Sequence, residues 1–163
     1  FDPVRPYGAQ FRDTLKSHGR YDARRFAADA EEALGRLGLT DPCRLLACRP
    51  YELSGGMNQR MAMALALLLG QRVLLADEPT SALDAVLRLQ MARELKNLSR
   101  SGGMAQVVVT HDLALAQFLA DTLAVLHERR FVEYGPADAV LRTPGPYTRR
   151  LLEAVPRLKG GSL

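Results

Sequence analysis

Several features that would assign a chain to a particular class are scarce or absent in these 163 residues. The two cysteines, Cys43 and Cys48, are too few for a disulfide or metal framework and indicate free thiols. The longest apolar run, residues 61–69, is far shorter than the roughly 18 residues that a membrane-spanning helix needs. The sequence shows no secretory signal and no internal repeat, so we expect a globular protein in a cytoplasmic setting.

Lysine is also scarce. Of the 22 lysine and arginine residues in the sequence, the lysines are Lys16, Lys96 and Lys159, and the others are arginines. The formal net charge is +4. A basic balance can indicate nucleic acid or an anionic lipid as a partner. The arginines here are scattered along the chain, and no long basic cluster is present. The sequence therefore favours an ordinary solvated surface, and we expect no nucleic-acid partner.

Apolar spacing divides the chain into a helical region up to Leu69 and a region of alternating strands and helices after it. We therefore expect an α/β fold, with a helical subdomain followed by a mostly parallel sheet with flanking helices. Three segments are predicted, which are residues 1–69, 70–143 and 144–163. The predicted helices cover residues 7–18, 22–37, a short turn from 41, 57–69, 85–100, 113–119 and 147–154. The predicted strands, the first two of them buried, cover residues 72–76, 106–109, 122–126 and 131–134.

Two acids, Asp77 and Glu78, follow directly after the first predicted strand. Ligands of open parallel sheets bind outside the carboxyl ends of the strands, so an acid in this position can hold Mg²⁺. Because successive strand residues point to opposite faces, the second acid can orient or deprotonate a water. The alternative is a solvent-exposed strand end, where an acid costs little. These two residues by themselves leave both interpretations open.

Two other short stretches carry residue types that suit a phosphate site. Ser54 is a good N-cap for the apolar helix that follows it, and Gly55 and Gly56 let the backbone approach a ligand. Unpaired N–H groups at a helix start attract phosphate, although the same residues also serve as a plain loop-to-helix turn. His111 follows the second predicted strand at its carboxyl end, where it is either catalytic or structural.

In this order and spacing, the motifs resemble those of the nucleotide-binding subunits of ABC transporters. Residues 53–57 resemble the signature motif of that family, with Met57 in place of the usual glutamine. Residues 73–78 resemble the Walker B strand, residues 81–84 the D-loop, and His111 the switch histidine. The resemblance covers almost the whole chain and implies a partial P-loop NTPase fold of the ABC ATPase type.

The resemblance implies an ATPase that uses ATP and Mg²⁺. It implies that Asp77 binds magnesium, that Glu78 is the general base for hydrolysis, and that His111 is a second catalytic residue. The residues that it places against the nucleotide are Ser54, Gly55, Gly56, Met57 and Asp84. Residues 70–143 would then be the catalytic core. The tail around residues 146–152 is similar to the C-terminal extension of peptide and nickel importers, and residues 1–3 and 49–52 look most like nickel-import subunits.

One family motif has no counterpart in the sequence. The phosphate-binding loop needs Gly, four residues, Gly, Lys, and Ser or Thr, and none of the three lysines stands in that context. The first residue is Phe1 rather than methionine. We therefore expect an N-terminally truncated cassette that lacks about the first third of the family's domain, and a chain that is inactive as an ATPase by itself.

The partners that the resemblance implies are a second ABC ATPase subunit, identical or related, and membrane permease subunits, with a periplasmic or extracellular solute-binding protein acting indirectly. The implied location is the cytoplasmic face of the inner or plasma membrane. The sequence leaves the transported solute open between nickel and di- or oligopeptides. Two alternatives also remain, namely a non-catalytic binding module or degenerate remnant, and an ABC-type ATPase that acts on DNA or the ribosome.

Overall fold

The computed structural model describes residues 1–102 and 104–154, which form two compact units divided after Val109. The first unit contains α1 (Tyr7–Ser17), α2 (Phe26–Arg36), α3 (Pro42–Ala47), a 3-10 helix (Pro50–Glu52), α4 (Gly55–Leu69), β1 (Val73–Asp77), α5 (Ala85–Gly102) and β2 (Ala105–Val109). The second unit contains α6 (Leu113–Leu119), β3 (Thr122–His127), β4 (Arg130–Pro136), α7 (Ala137–Arg142) and α8 (Pro146–Ala154). The predicted α/β class is confirmed, whereas the division at 69 and 143 stays a prediction. Helix α7 was not predicted.

The helices of the first unit pack through side chains at helical spacing. In α1, Tyr7, Phe11 and Leu15 recur every four residues and are buried, so they form one apolar stripe. Leu34 of α2 and Met61 of α4 are fully buried as well. Burying one such side chain contributes about 1.5–3 kcal/mol to folding. This apolar core fixes α4, the helix on which most of the candidate site depends.

Helix α2 begins later than the sequence predicts. The predicted start at Asp22 is wrong, because residues 23–25 form a turn and the helix begins at Phe26. The Asp22 carboxylate accepts a hydrogen bond from the Arg24 backbone N–H at 2.8 Å. An aspartate that bonds its own local backbone in this way favours a turn over a helix. The apolar spacing within the helix was still interpreted correctly.

The C-terminal end of α2 is closed by a glycine and by a buried arginine. Gly38 has a left-handed backbone with φ of 66°, and the Leu39 N–H donates to the Leu34 carbonyl at 2.9 Å, which confirms the predicted stop. The guanidinium of Arg60 in α4 donates to the carbonyls of Leu37 at 3.3 Å and Gly38 at 3.2 Å. These are carbonyls that a helix end leaves without partners of its own.

Helix α5 reaches the same end of α2. The Gln90 side-chain amide donates to the Arg36 carbonyl at 3.5 Å, and the Arg36 guanidinium pairs with Glu94. A Cβ on Gly38 would lie 2.8 Å from the Gln90 amide, which could move aside, so it is the left-handed φ of 66° that favours glycine there. The end of α2 is therefore a junction of three helices, α2, α4 and α5, which we call the α2 junction.

Arg60 is 8% exposed, which is unusual for an arginine. Burial lowers the pKa of its guanidinium, and the charge of Asp84 opposes that shift. The same guanidinium also donates to the carbonyl of Gly56, at the start of its own helix, at 3.3 Å. When the N–H groups of a buried arginine donate to three backbone carbonyls, these hydrogen bonds replace much of the hydration that burial removes.

Replacing Arg60 with methionine should lower the free energy of unfolding by about 1–2 kcal/mol, because the Leu37 and Gly38 carbonyls lose buried donors. Urea unfolding of the 163-residue chain measures the loss. The matched control is Arg25→Met, since the Arg25 side chain is 74% exposed and its guanidinium lies 3.6 Å from the Asp29 carboxylate. That exposed pair should contribute less than about 0.5 kcal/mol. Equal effects of the two substitutions would show that the buried hydrogen bonds do not stabilise the fold.

The first sheet is a parallel pair in which Val73 pairs with Ala105 and Asp77 with Val109. The prediction of two buried strands is wrong for one face of this pair. Val73, Leu75, Val107 and Val109 are each more than half exposed, with Leu75 at 76%. Parallel strands are buried on both faces only when a layer of structure covers each face. Among the described residues, that cover reaches one face alone.

The second unit is built on the antiparallel hairpin β3–β4, whose register shifts between Val125 and Leu126. The turn residues Glu128 and Arg129 both have left-handed backbones, with φ of 46° and 64°. Two such residues give the turn the twist that suits a hairpin. The Glu133 carboxylate of β4 accepts hydrogen bonds from the Gly145 N–H and the Thr148 hydroxyl at the start of α8.

None of the helices in residues 1–102 and 104–154 combines the length and the apolar character that crossing a membrane requires.

Candidate functional site

The two acids lie at the carboxyl end of the parallel pair. Asp77 is the last residue of β1 and is exposed, and Glu78 follows it half-buried. The Glu78 N–H donates to the Val109 carbonyl at 2.8 Å, which extends the contact with β2 by one residue. Glu78 nevertheless has a left-handed φ of 47°, a conformation that costs roughly 1–2 kcal/mol for a residue with a Cβ. The chain therefore turns sharply at the second acid.

Residues 78–84, which we call the acid loop, connect β1 to α5. The Ser81 N–H and hydroxyl both donate to the Glu78 carbonyl, at 3.2 Å and 3.0 Å. The Leu83 N–H donates to the Thr80 carbonyl at 3.2 Å, and Thr80 is 2% exposed. The Asp84 carboxylate accepts from the Leu87 N–H at 2.9 Å and so caps α5. The loop is thus held by its own backbone and by the helix after it.

The start of α4 packs against the acid loop. Ser54 accepts a hydrogen bond from the Met57 N–H at 3.3 Å, which confirms the predicted N-cap, although the helix begins at Gly55 rather than at Met57. A Cβ on Gly56 would lie 2.7 Å from the Ala82 carbonyl oxygen. A Cβ on Gly55 would meet its nearest atom at 3.8 Å. The second glycine is therefore needed for packing inside this chain, whatever ligand approaches the first.

A glutamine in the next turn of α4 reaches the same loop. The Gln59 amide nitrogen donates to the Glu78 carbonyl at 3.1 Å and to the Ser81 hydroxyl at 3.3 Å. A cavity of about 230 Å³ is lined by Gln59 and other residues of α4, by residues of β1 that include Asp77, and by Pro79. Three residues of the predicted set, Ser54, Gly56 and Glu78, are therefore connected through α4.

Sequence reasoning missed three side chains that hold this arrangement, Asn58, Gln59 and Arg60. The Asn58 amide donates to the carbonyls of Pro50 at 3.0 Å and Leu53 at 3.5 Å, and its oxygen accepts from the buried Tyr7 hydroxyl. Burial raises the pKa of that hydroxyl. The signal in the sequence was three consecutive polar residues at the start of an otherwise apolar helix.

His111 belongs to the second compact unit, whereas the other predicted site residues belong to the first. It is exposed and stands just before α6. The next residue, Asp112, caps that helix by accepting from the N–H groups of Ala114 at 3.0 Å and Leu115 at 3.1 Å. The local fold thus gives the neighbour of His111 a structural role and leaves His111 at the surface.

The chemistry of the acids suits magnesium better than a metal that proteins enclose. Within the part of the chain that the structure describes, no group of three or more histidine, cysteine, aspartate or glutamate side chains is arranged to hold a metal. Mg²⁺ is commonly bound by one or two carboxylates and takes its other ligands from water and from the phosphates of a substrate. An exposed carboxylate such as that of Asp77, at a strand end, fits this mode of binding.

Comparison with known proteins identifies relatives over most of the chain. The family model described as ABC transporter matches residues 7–81. The nickel import ATP-binding protein NikD of Rhodospirillum rubrum is 42% identical over 154 residues, which are 94% of this chain and 59% of that protein. The dipeptide transport ATP-binding protein DppD of Escherichia coli is 38% identical over 158 residues, which are 95% of this chain and 48% of that protein. The chain spans about half the length of the curated relatives it matches.

Solved structures share the fold. A dimeric ATP-binding cassette, solved in a post-hydrolysis state with ADP and Pi, matches with a TM-score of 0.73 and 29% identity. The match covers 83% of this chain and 58% of the cassette. An inward-facing transporter of the metal-chelate type matches with a TM-score of 0.71 and 25% identity, over 86% of this chain and 56% of that one. The mixed fold with a parallel strand pair is thus that of ABC ATPase cassettes.

Proposed function

We propose that the chain is the ATP-binding and ATP-hydrolysing part of an importer for nickel or for di- and oligopeptides, because the ABC transporter model matches residues 7–81 and the solved structures that share its fold are ABC cassettes. The observation that carries the proposal is the position of Asp77 and Glu78. Asp77 is the last residue of a parallel strand and Glu78 follows it, and the Glu78 carbonyl accepts a hydrogen bond from Gln59 near the glycine-containing start of α4.

Each site residue has a proposed role in hydrolysis. Asp77 would hold Mg²⁺, which when bound neutralises charge on the phosphates. Glu78 would accept a proton from the water that attacks ATP, and His111 would be a second catalytic residue. The residues proposed to face the nucleotide are Ser54, Gly55, Gly56, Met57 and Asp84. The N–H groups at the start of α4 supply donors suited to phosphate oxygens, whereas the Asp84 carboxylate is already engaged in capping α5.

The proposed partners follow from the same relatives. A second ATPase subunit would complete the nucleotide site, as the dimeric cassette structure suggests, and permease subunits would hold the pair at the cytoplasmic face of the membrane. The relatives named for nickel and for dipeptide match almost equally well, at 42% and 38% identity. The two solutes therefore both remain in the proposal, and a solute-binding protein would deliver either one to the permease.

We also propose that these 163 residues do not hydrolyse ATP by themselves. No segment of the sequence reads Gly, four residues, Gly, Lys, and Ser or Thr, so nothing in it supplies the backbone cradle and the lysine that hold the β- and γ-phosphates. We define the assembled cassette as a fusion protein. It joins residues 1–163 to the part of the nickel import protein NikD that lies outside the match. We expect ATP turnover from the assembled cassette and none from the chain by itself.

A phosphate-release assay with ATP and Mg²⁺ compares the two proteins, and a fluorescent nucleotide measures binding in parallel. Turnover by the 163-residue chain that Glu78→Gln abolishes would contradict the proposed inactivity. Absence of both binding and turnover in a folded assembled cassette would instead favour a non-catalytic module. These outcomes separate the ATPase proposal from its main alternative.

A further inference from the structure

Three hydrogen-bond donors converge on one atom of the acid loop, the carbonyl oxygen of Glu78. It accepts from the Ser81 N–H at 3.2 Å, the Ser81 hydroxyl at 3.0 Å and the Gln59 amide at 3.1 Å. The two serine donors lie within the loop, three residues along the chain. Gln59 is the donor that comes from another element, so its bonds to the Glu78 carbonyl and to the Ser81 hydroxyl connect the loop to α4.

The orientation of the Gln59 amide follows from its surroundings. A carbonyl oxygen only accepts hydrogen bonds, so the end of the amide that faces Glu78 must be the nitrogen. The opposite end of the side-chain amide is its oxygen, Oε1, which is buried and has no hydrogen-bond partner within the described residues. A buried acceptor without a partner is unfavourable and calls for an explanation. The explanation is that the amide nitrogen must face the acid loop in order to make its hydrogen bonds there, which turns the oxygen to the opposite side.

Glu78, whose carbonyl accepts these hydrogen bonds, also has a strained backbone. Glu78 has a left-handed φ of 47°, and such a backbone persists only where the surroundings hold it. We infer that Gln59 is a positioning residue, which fixes the Glu78 backbone and through it the direction of the carboxylate. This inference rests on the proposed function of Glu78 as the base for hydrolysis. It adds to that function a residue outside the signature and Walker B resemblances.

The experiment uses the assembled cassette with Gln59→Leu, which removes the donor, and Gln59→Glu, which keeps the size but places an acceptor against the carbonyl. Each substitution should lower kcat about tenfold and leave the KM for ATP within about twofold, because positioning acts on the chemical step. The matched control is Gln90→Leu in α5, whose amide also donates to a backbone carbonyl, that of Arg36 at 3.5 Å. Its kcat should stay within about twofold of the parent.

Three results would overturn the inference, namely an unchanged kcat, a raised KM with unchanged kcat, or an equal loss in Gln90→Leu. Glu78→Gln in the same series tests the proposed function separately, since full turnover in that variant refutes the role of Glu78 whatever Gln59 does. Hydrogen exchange of the 163-residue chain gives a second measurement that needs no turnover. Exchange in residues 78–84 should become about tenfold faster in Gln59→Leu while α1 is unchanged, and unaltered exchange in that loop would also overturn the inference.

Discussion

Glu78→Gln should reduce ATP turnover by the assembled cassette by about 10²–10⁴-fold, the range that a positioned general base contributes. Nucleotide binding should be retained, because the amide has nearly the shape of the carboxylate and Asp77 is untouched. The substitution preserves the left-handed backbone at φ 47° and the bond from the N–H to the Val109 carbonyl. The loss should therefore fall on kcat rather than on KM for ATP.

The chain offers a close control for this substitution. Glu128 has a left-handed backbone with φ of 46° and a side chain that is 85% exposed at the turn of the β3–β4 hairpin. Glu128→Gln removes the same charge at a residue with nearly the same φ, in the second compact unit. We expect it to leave turnover within about twofold of the parent, as for a surface substitution without partners in the site. Equal losses in Glu78→Gln and Glu128→Gln would refute the catalytic role.

Gly56→Ala should be the most destabilising single methyl addition at the start of α4. The new Cβ would lie 2.7 Å from the Ala82 carbonyl oxygen and 3.0 Å from Leu83 Cδ2, so either α4 or the acid loop must move. We expect the free energy of unfolding to fall by about 2–3 kcal/mol, the upper part of the range for overpacking, because the nearest atom belongs to the backbone. Urea unfolding of the 163-residue chain measures the change.

The neighbouring glycine is the control for this prediction. A Cβ on Gly55 would meet the Ala82 Cβ at 3.8 Å, an ordinary contact. Because alanine favours a helix over glycine, Gly55→Ala should be neutral or should raise the free energy of unfolding by about 0.5–1 kcal/mol. If both substitutions stabilise the chain, the close approach of Gly56 to the acid loop does not exist in solution.

Features that depend on neighbours in the sequence were predicted well. The cap at Ser54, the helix stop at Gly38 and the acids at the end of β1 all follow from residue types within four positions of the feature. Capping and chain reversal are local chemistry, so the sequence carries their full cause. The same holds for the apolar stripes of the helices, and with them for the α/β class.

Features that depend on distant residues were missed or misjudged. Gln59 bonds residues 19 and 22 positions away, and Asn58 accepts from Tyr7, 51 positions away, so no local pattern indicates them. The apolar runs of β1 and β2 indicate strands but not their cover, and Leu75 proves to be 76% exposed. The packing of Gly56 against the backbone of Ala82 was not predicted, and the assignment of Gly56 to the nucleotide stays a prediction. Burial and packing come from the tertiary fold, which spacing does not encode.

The α2 junction determines how the first unit should come apart. Its bonds join the end of α2 to Arg60 in α4 and to Gln90 and Glu94 in α5, residues that lie more than 20 positions further along the chain. Elements tied in this way tend to melt as one cooperative unit rather than one by one. A proteolytic fragment ending at Leu69 would retain Arg60 but lose both partners from α5. Such a fragment should fray first at the end of α2, so we expect no boundary in cooperativity at Leu69, where the sequence pattern changes.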